Sequence, residues 1–174
     1  MNKKTFNLIF LLLTIIFLIA CGGSKDQGLT TEDGGVLKSR VINPDSTHSV
    51  SEFEIAGLKK PKSLQVDAVD KKTGEPITPG AIEIYLGFYK SSIGPKDIEI
   101  RIYKSHDEAL TYGVPSAEKT ISTVLAFTNA LIETTSAESA TSTAGYGAYV
   151  VVGNAIMICQ SQIEVCDELI ASLK

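Results

Sequence analysis

Alternating hydrophobic and polar positions predict the strands of a sheet in the second half of the chain. In DIEIRIY, residues 97–103, the isoleucines fall on one side and the charged residues and tyrosine on the other. The stretch AIEIYLGFY, residues 81–89, fits both the strand period and the helix period, and we expect a strand there. In AYVVVGNAIMIC, residues 148–159, both faces are apolar around the two-residue turn Gly153-Asn154, which predicts a central β-hairpin.

Weaker alternation precedes these strands. Phe53 and Ile55 suggest a short strand, and LQVDAV, residues 64–69, predicts another. The second runs into Lys71-Lys72-Thr73-Gly74, where Gly74 can adopt the positive φ that closes a type I turn with a bulge. We therefore expect a hairpin that turns at Gly74.

Two Ser-x-x-Glu patterns predict the starts of helices. Ser105-His106-Asp107-Glu108 has the form of a capping box, and Ser161-Gln162-Ile163-Glu164 repeats it. The first helix is expected to extend through residues 122–133, and Pro115 should kink it or divide it in two. The last helix has an apolar inner face, formed by Ile163, Val165, Cys166, Leu169, Ile170 and Leu173.

The order of strand, capped turn and helix thus occurs twice. We predict an α+β fold, a two-layer sandwich in which a ββα unit is used twice and an antiparallel sheet carries its helices on one face. Residues 134–145 are rich in Ser, Thr and Ala and contain no large apolar side chain. They predict an exposed loop, with a mobile lid as the alternative.

The first twenty residues have the three-part layout of a secretory signal, with Lys3 and Lys4 followed by an apolar run and then by small residues. The run is shorter than the roughly 20 residues of a membrane span. It ends in Leu18-Ile19-Ala20-Cys21, which resembles the box that precedes the lipidated cysteine of bacterial lipoproteins. The alternative is that residues 1–20 are an ordinary secretory signal and that Cys21 follows them by chance and is not lipidated.

This resemblance implies that residues 1–20 are removed and that Cys21 carries a diacylglyceryl group, often with a further acyl chain such as palmitate. Two or three acyl chains hold a protein firmly on a bilayer. Gly22 stands where these lipoproteins carry an aspartate as an inner-membrane retention signal, so an outer membrane is favoured over the cell membrane where both exist. Residues 21–50 then predict a lipidated flexible tether, and residues 51–174 a single extracytoplasmic domain.

Charge and cysteine content agree with export. Without residues 1–20 the chain has 14 Lys and Arg against 20 Asp and Glu, a net charge of −6, which argues against nucleic acid as a partner. Cys159 and Cys166 remain beside Cys21, and outside the cytoplasm such a pair tends to oxidise. We predict a disulfide between a strand end and the following helix, with two separate buried thiols as the alternative.

The sequence contains no clear catalytic constellation. His48 is expected in the tether and His106 in the first turn of a helix, so neither is placed to activate a nucleophile. Three carboxylate pairs, namely Asp97/Glu99, Asp107/Glu108 and Asp167/Glu168, are expected to be solvated. No phosphate loop, calcium loop or zinc spacing is present, so we expect no cofactor and no metal. The six tyrosines either cap the edge of the core or form a recognition surface for sugar or peptide.

Three short segments, IEIRIYKSHDEA, YVVVGN and MICQSQIEVC, resemble an uncharacterised domain of small bacterial lipoproteins. The resemblance covers residues 80–174 and implies the order strand, helix, hairpin and helix, without a known activity. We therefore expect a membrane-anchored lipoprotein of the cell envelope that is not an enzyme, a binding or assembly module for an envelope protein or glycan. The alternative is a small envelope hydrolase that uses paired carboxylates.

Overall fold

The computed structural model describes residues 29–30, 36–134 and 145–173. Over these residues, seven strands and four helices follow one another, with a π-helical segment, Ala109–Gly113, between the second and third helices. The strands are β1 Leu29–Thr30, β2 Val36–Ile42, β3 Lys59–Ser63, β4 Glu83–Ser91, β5 Gly94–Ile102, β6 Tyr146–Val152 and β7 Ala155–Gln160. The helices are α1 Val50–Ala56, α2 His106–Glu108, α3 Val114–Thr134 and α4 Ile163–Ile170. The predicted signal segment, Cys21 and most of the predicted loop at residues 134–145 lie outside the described residues.

All seven strands belong to one mixed sheet in the order β1-β2-β6-β7-β5-β4-β3. Neighbouring strands are antiparallel except β2 and β6, which are parallel and pair Arg40 with Val150. The two hairpins β4–β5 and β6–β7 are each followed by helix, so the ββα unit does occur twice. The predicted α+β sandwich is therefore confirmed.

The helices cover both faces of the sheet, whereas the sequence led us to expect them on one face. On the first face, here called the α4 face, α1 and α4 pack on residues such as Ile100, Val150 and Met157. On the second, here called the α3 face, Ala117 and Ile121 of α3 pack on the alternate residues of β6 and β7, which are Tyr149, Val151, Ile156 and Ile158. Both faces of β6 and β7 are apolar, so a helix on each face is needed to bury them.

The tether predicted for residues 21–50 is wrong for its described part. Residues 36–42 form a full strand, and residues 29–30 pair with it. The apolar residues Val41 and Ile42 gave a signal for this strand that the surrounding glycines and polar residues concealed. Its parallel pairing also makes the sheet mixed instead of purely antiparallel.

Local predictions before β4 also need correction. Residues 50–56 are helical, because Ser49 and Glu52 form a capping box in which the carboxylate accepts a 2.7 Å hydrogen bond from the Ser49 amide. This bond lowers the pKa of Glu52. The predicted strand at residues 64–69 is a loop that makes a single bridge, between Val69 and Pro76. The turn at Gly74 is confirmed, with φ at +74°.

The later elements agree more closely with the sequence. Residues 83–91 form the predicted strand β4, and the serine oxygen of Ser105 accepts from the Glu108 amide at 3.2 Å, so the helix begins where expected. The helix does not break at Pro115; a π-helical segment precedes that residue instead. The second capping box is absent, because Gln162 is the N-cap of α4 and makes no side-chain cap bond, while Ser161 has φ of +72°.

Candidate functional site

A cavity of about 480 Å³ opens on the α3 face above β4 and β5. Its floor is the sheet, one wall is α3, and the opposite wall is the loop that connects β3 to β4. A volume of this size lies within the range of small-molecule sites. The cavity is lined by Ser63, Leu64, Gln65, Ala68, Ile77, Thr78, Ile84, Glu99, Arg101 and Thr120.

A buried ion pair lies at the base of this cavity. The Arg101 Nε atom donates to Glu99 Oε1 at 2.6 Å, and the two residues are 1% and 9% exposed. Both side chains project from the same face of β5, because they are two residues apart in a strand. Burying an ion pair costs desolvation energy, which this geometry repays only with further hydrogen bonds.

Helix α3 supplies those further bonds. Arg101 Nη1 donates to Ser116 Oγ at 2.8 Å, and Nη2 donates to Thr120 Oγ1 at 3.0 Å. Ser116 and Thr120 are four residues apart and therefore lie on one side of the helix. Ser116 Oγ in turn donates to the carbonyl oxygen of Ile77 at 2.8 Å. The guanidinium thus links β5, α3 and the β3–β4 loop.

Two tyrosines lie beside the ion pair. Burial, and then the nearby Glu99 carboxylate, raises the pKa of Tyr146. Burial also raises the pKa of Tyr103 to about 12, and the positive charge of Arg101 partly opposes this shift. The Tyr103 hydroxyl has no hydrogen-bond partner among the described residues. The ion pair therefore lies in surroundings that disfavour additional charge.

The α3 face has a second cavity, of about 420 Å³, near the β2 edge. Val41, Leu110, Val114 and Val151 give it a largely apolar lining. The Tyr149 hydroxyl, also in its wall, donates to Glu118 at 2.8 Å; burial and this bond raise the pKa of Tyr149. Arg40 also lines this cavity and pairs with Asp167 at 2.9 Å. No buried ion pair stands in its lining, so the first cavity, here called the Glu99 cavity, is the better candidate.

The two histidines both contact the β6–β7 turn. His48 is buried, and its backbone is held by Asn154, whose Oδ1 accepts from the His48 amide at 2.6 Å. His106 Nδ1 lies 2.7 Å from the carbonyl oxygen of Gly153, next to Asn154. In the described part of the chain neither ring nitrogen of His48 has a hydrogen-bond partner; its Nδ1 is 3.9 Å from Glu52 Oε1. These contacts fix the ends of α1 and α2 to the β6–β7 turn.

The carboxylate pairs are placed differently from one another. Asp97 and Asp107 are exposed as expected, whereas Glu99 is buried, which corrects the expectation that it is solvated. Asp167 is half-buried in its ion pair with Arg40, and Glu168 accepts from the Ser92 amide at 2.9 Å. Over residues 29–30, 36–134 and 145–173, no group of three or more His, Cys, Asp or Glu side chains is arranged to hold a metal ion.

Cys159 and Cys166 lie at disulfide-bonding distance, with their Cα atoms 5.8 Å apart. Cys159 is in β7 and Cys166 in α4, as the sequence suggested. Cys21, the predicted lipidation site, is outside the described residues. Of the helices described, none has the length and apolar character needed to cross a bilayer.

The six tyrosines do not form one surface. Tyr103 and Tyr149 are buried in the core, and Tyr146 packs against the core on the α3 face. Tyr89 packs against the core on the opposite face, Tyr85 donates to Glu83 Oε2 at 3.1 Å, and Tyr112 is exposed above Gly80. Two of the six tyrosines therefore cap the core and two more lie inside it, which favours the first of the two expectations.

Sequence reasoning missed the Glu99–Arg101 pair, although a signal was present. The two opposite charges stand two residues apart on one face of a strand, and the neighbouring strand β7 is apolar on that same face. Charges at such positions are buried with the sheet and must pair. A search for opposite charges at i and i+2 in a central strand would have found them.

Residues 49–130 match the model of a family of unknown function, DUF6810. The matched range extends from the start of α1 into α3, and every residue that lines the Glu99 cavity lies within it. No curated protein and no solved structure is significantly similar to the chain.

Proposed function

We propose that this chain is a membrane-anchored lipoprotein of the cell envelope and acts there as a non-catalytic binding module. The observation that carries the proposal is the box Leu18-Ile19-Ala20-Cys21 behind a charged and apolar leader. An acylated Cys21 would attach the protein to the extracytoplasmic face of the cell membrane or outer membrane without a transmembrane segment. The pairing of Cys159 with Cys166 at bonding distance supports an oxidising location.

The Glu99 cavity supports a binding role more than a catalytic one. Hydrolysis by paired carboxylates requires one group to act as acid and the other as base or nucleophile across the scissile bond. Glu99 instead engages Arg101 at 2.6 Å, and its sequence partner Asp97 is exposed and outside the cavity lining. An ion pair held by two further hydroxyl groups is suited to present a fixed hydrogen-bonding surface to a ligand.

Metabolic labelling tests the anchor. Cells that express the full chain are grown with an alkyne-bearing palmitate analogue, and the protein is examined by click chemistry, mass spectrometry and membrane fractionation. We expect the wild type to carry the acyl label and to fractionate with membranes. The Cys21→Ser variant should carry no label, and it should either leave the membrane fraction or keep its leader. The matched control is Cys159→Ser with Cys166→Ser, which should keep the label because only the other cysteines change. A wild-type protein with an intact leader and a free Cys21 thiol refutes the proposal.

The alternative is a small envelope hydrolase, favoured by one observation: Asp97 and Glu99 project from the same face of β5. Chromogenic glycosides offered to the purified protein test it. The hydrolase is supported if the wild type turns over a glycoside, if Asp97→Asn and Glu99→Gln each abolish this activity, and if Glu118→Gln keeps it. Absence of turnover that depends on either carboxylate leaves the binding role as the better account.

A further inference from the structure

The Glu99 cavity has one charged group that a ligand can reach. Both Glu99 and Arg101 line the cavity, but Arg101 is 1% exposed and its guanidinium is occupied by Glu99, Ser116 and Thr120, whereas Glu99 is 9% exposed. Arg101 therefore positions the carboxylate from behind. An incoming molecule would meet mainly a hydrogen-bond acceptor, because an ionised carboxylate cannot donate.

The cavity carries no uncompensated charge. Glu99 and Arg101 cancel each other, and the other polar residues of the lining are neutral, namely Ser63, Gln65, Thr78 and Thr120. A ligand with its own net charge would lose hydration on entry without gaining an opposite charge. The site therefore favours a neutral ligand that brings hydrogen-bond donors.

The rest of the lining is apolar. Leu64 and Ile77 stand in the loop wall, and Ile84 lies in the floor, where it pairs across the strands with Arg101. These apolar side chains can pack against the carbon–hydrogen surface of a ligand. Glu99 and Gln65 can form hydrogen bonds with the polar edge of the same ligand. A sugar ring combines these properties, since it has hydroxyl donors around its rim, apolar faces and no charge.

We propose that the Glu99 cavity binds a neutral sugar unit of an envelope glycan, whose hydroxyl groups donate to the Glu99 carboxylate held by Arg101. The proposal rests on the binding role proposed above and names the chemistry of the ligand. A cavity of about 480 Å³ accommodates one or two sugar rings. The loop wall, fixed to α3 through Ser116 and Ile77, then determines which rings fit.

Calorimetric titration of the full acylated chain in detergent tests this proposal. The neutral probes are cellobiose, maltose and N,N′-diacetylchitobiose; glucuronate and glucosamine are charged comparisons, and N-acetyl-trialanine amide represents a neutral peptide. We expect saturable binding of at least one disaccharide, with Kd at or below about 1 mM. The glucuronate, glucosamine and peptide probes should bind at least tenfold more weakly.

Variants locate the binding. Glu99→Gln should weaken disaccharide binding at least tenfold, because the amide has one acceptor oxygen where the carboxylate has two. Gln65→Ala changes an exposed lining residue outside the ion pair and should weaken binding without unfolding the protein. Glu118→Gln is the matched control on the same face outside this cavity and should bind as the wild type does.

Three results would overturn the inference: no disaccharide binds, a charged or peptide probe binds more tightly, or Gln65→Ala and Glu99→Gln bind disaccharide as the wild type does. The role as an anchored lipoprotein fails separately, if Cys21 proves unacylated. An acylated chain that captures the peptide and ignores sugars would remain a binding module with a different ligand.

Discussion

The two faces of the sheet are built from the same strands but have different interiors. On the α4 face, β5, β6 and β7 contribute only apolar side chains and Cys159 to a core closed by α1 and α4. On the α3 face, the core under α3 is apolar only over β6 and β7, and over β5 it gives way to Glu99 and Arg101 beside a cavity. The α4 face is stabilised by close packing of apolar side chains, whereas the α3 face over β5 also depends on specific hydrogen bonds. The candidate site lies where the apolar pattern stops.

The largest effect is expected from breaking the buried ion pair. Arg101→Met leaves Glu99 buried without a counter-charge and should lower the free energy of unfolding by about 3 to 5 kcal/mol in urea titration. Arg40→Met provides the matched control, because the Arg40–Asp167 pair is only half-buried and should cost less than about 1 kcal/mol. Equal losses for the two variants would show that the faces do not differ in this way.

The next effect concerns Asn154, in the turn that joins β6 and β7, the two strands that are apolar on both faces. Its Nδ2 donates to the carbonyl oxygen of Tyr103 at 2.9 Å, and its Oδ1 accepts from the His48 amide. Asn154→Ala leaves both buried groups unpaired, and we expect a loss of about 2 to 3 kcal/mol in thermal or urea unfolding. Gln162→Ala, an exposed position without a cap bond, should change stability by less than about 0.5 kcal/mol. A loss of similar size at Gln162 would contradict the assignment.

A smaller effect tests the cysteines of the α4 face. Replacing Cys159 and Cys166 by serine should cost about 2 kcal/mol, because the loop between them is short and the chain-entropy contribution grows with loop length. The measurement is urea unfolding of the oxidised proteins, together with thiol titration and mass spectrometry of the wild type. Reductant should bring the wild type close to the variant. Two free thiols in the oxidised wild type would show that the pair is close but not bonded.

The smallest effect at neutral pH is expected for Tyr103→Phe, which removes a hydroxyl without a partner in the described part of the chain. Stability at pH 7 should stay within about 0.5 kcal/mol of the wild type. The pKa of Tyr103 is raised to about 12, above its ordinary value of 10, so its contribution is complete below pH 10 and is lost as the pH rises toward 12. The variant should therefore lose less stability than the wild type in that range. Tyr112→Phe, at an exposed tyrosine, is the matched control at pH 7 and should change stability by less than about 0.5 kcal/mol.

Much of the sheet could be predicted because its signals are local. The alternation of residues 97–103 and the turn at Gly153 each specify their element without distant information. The strand at residues 36–42 could not be recognised in the same way, since a parallel neighbour more than 100 residues away defines it. The helix at residues 50–56 was missed although Ser49 and Glu52 carry the pattern recognised at Ser105. The capping motif outweighs the weak alternation of Phe53 and Ile55.

The site was less predictable than the fold for a related reason. Glu99 and Arg101 look like the solvated side of a strand until α3 and the loop around Ile77 are placed above them. The sequence shows the two charges, but it does not show that α3 and the loop around Ile77 bury them, because these elements lie up to about 25 residues away in either direction. The proximity of Cys159 and Cys166 could be predicted with less long-range information, because the strand and the helix that carry them are consecutive in the chain.

The parallel pairing of β2 with β6 determines when the sheet can be completed. Val36 and Leu37 have β1 beside them, but Arg40 gains its parallel neighbour only when Val150 has emerged, so the pairing of β2 is completed only with the last hairpin. Because the chain is synthesised from its amino end, its sheet closes only when nearly all of it has emerged. Truncation before the final hairpin should leave an aggregation-prone edge in place of a smaller stable domain.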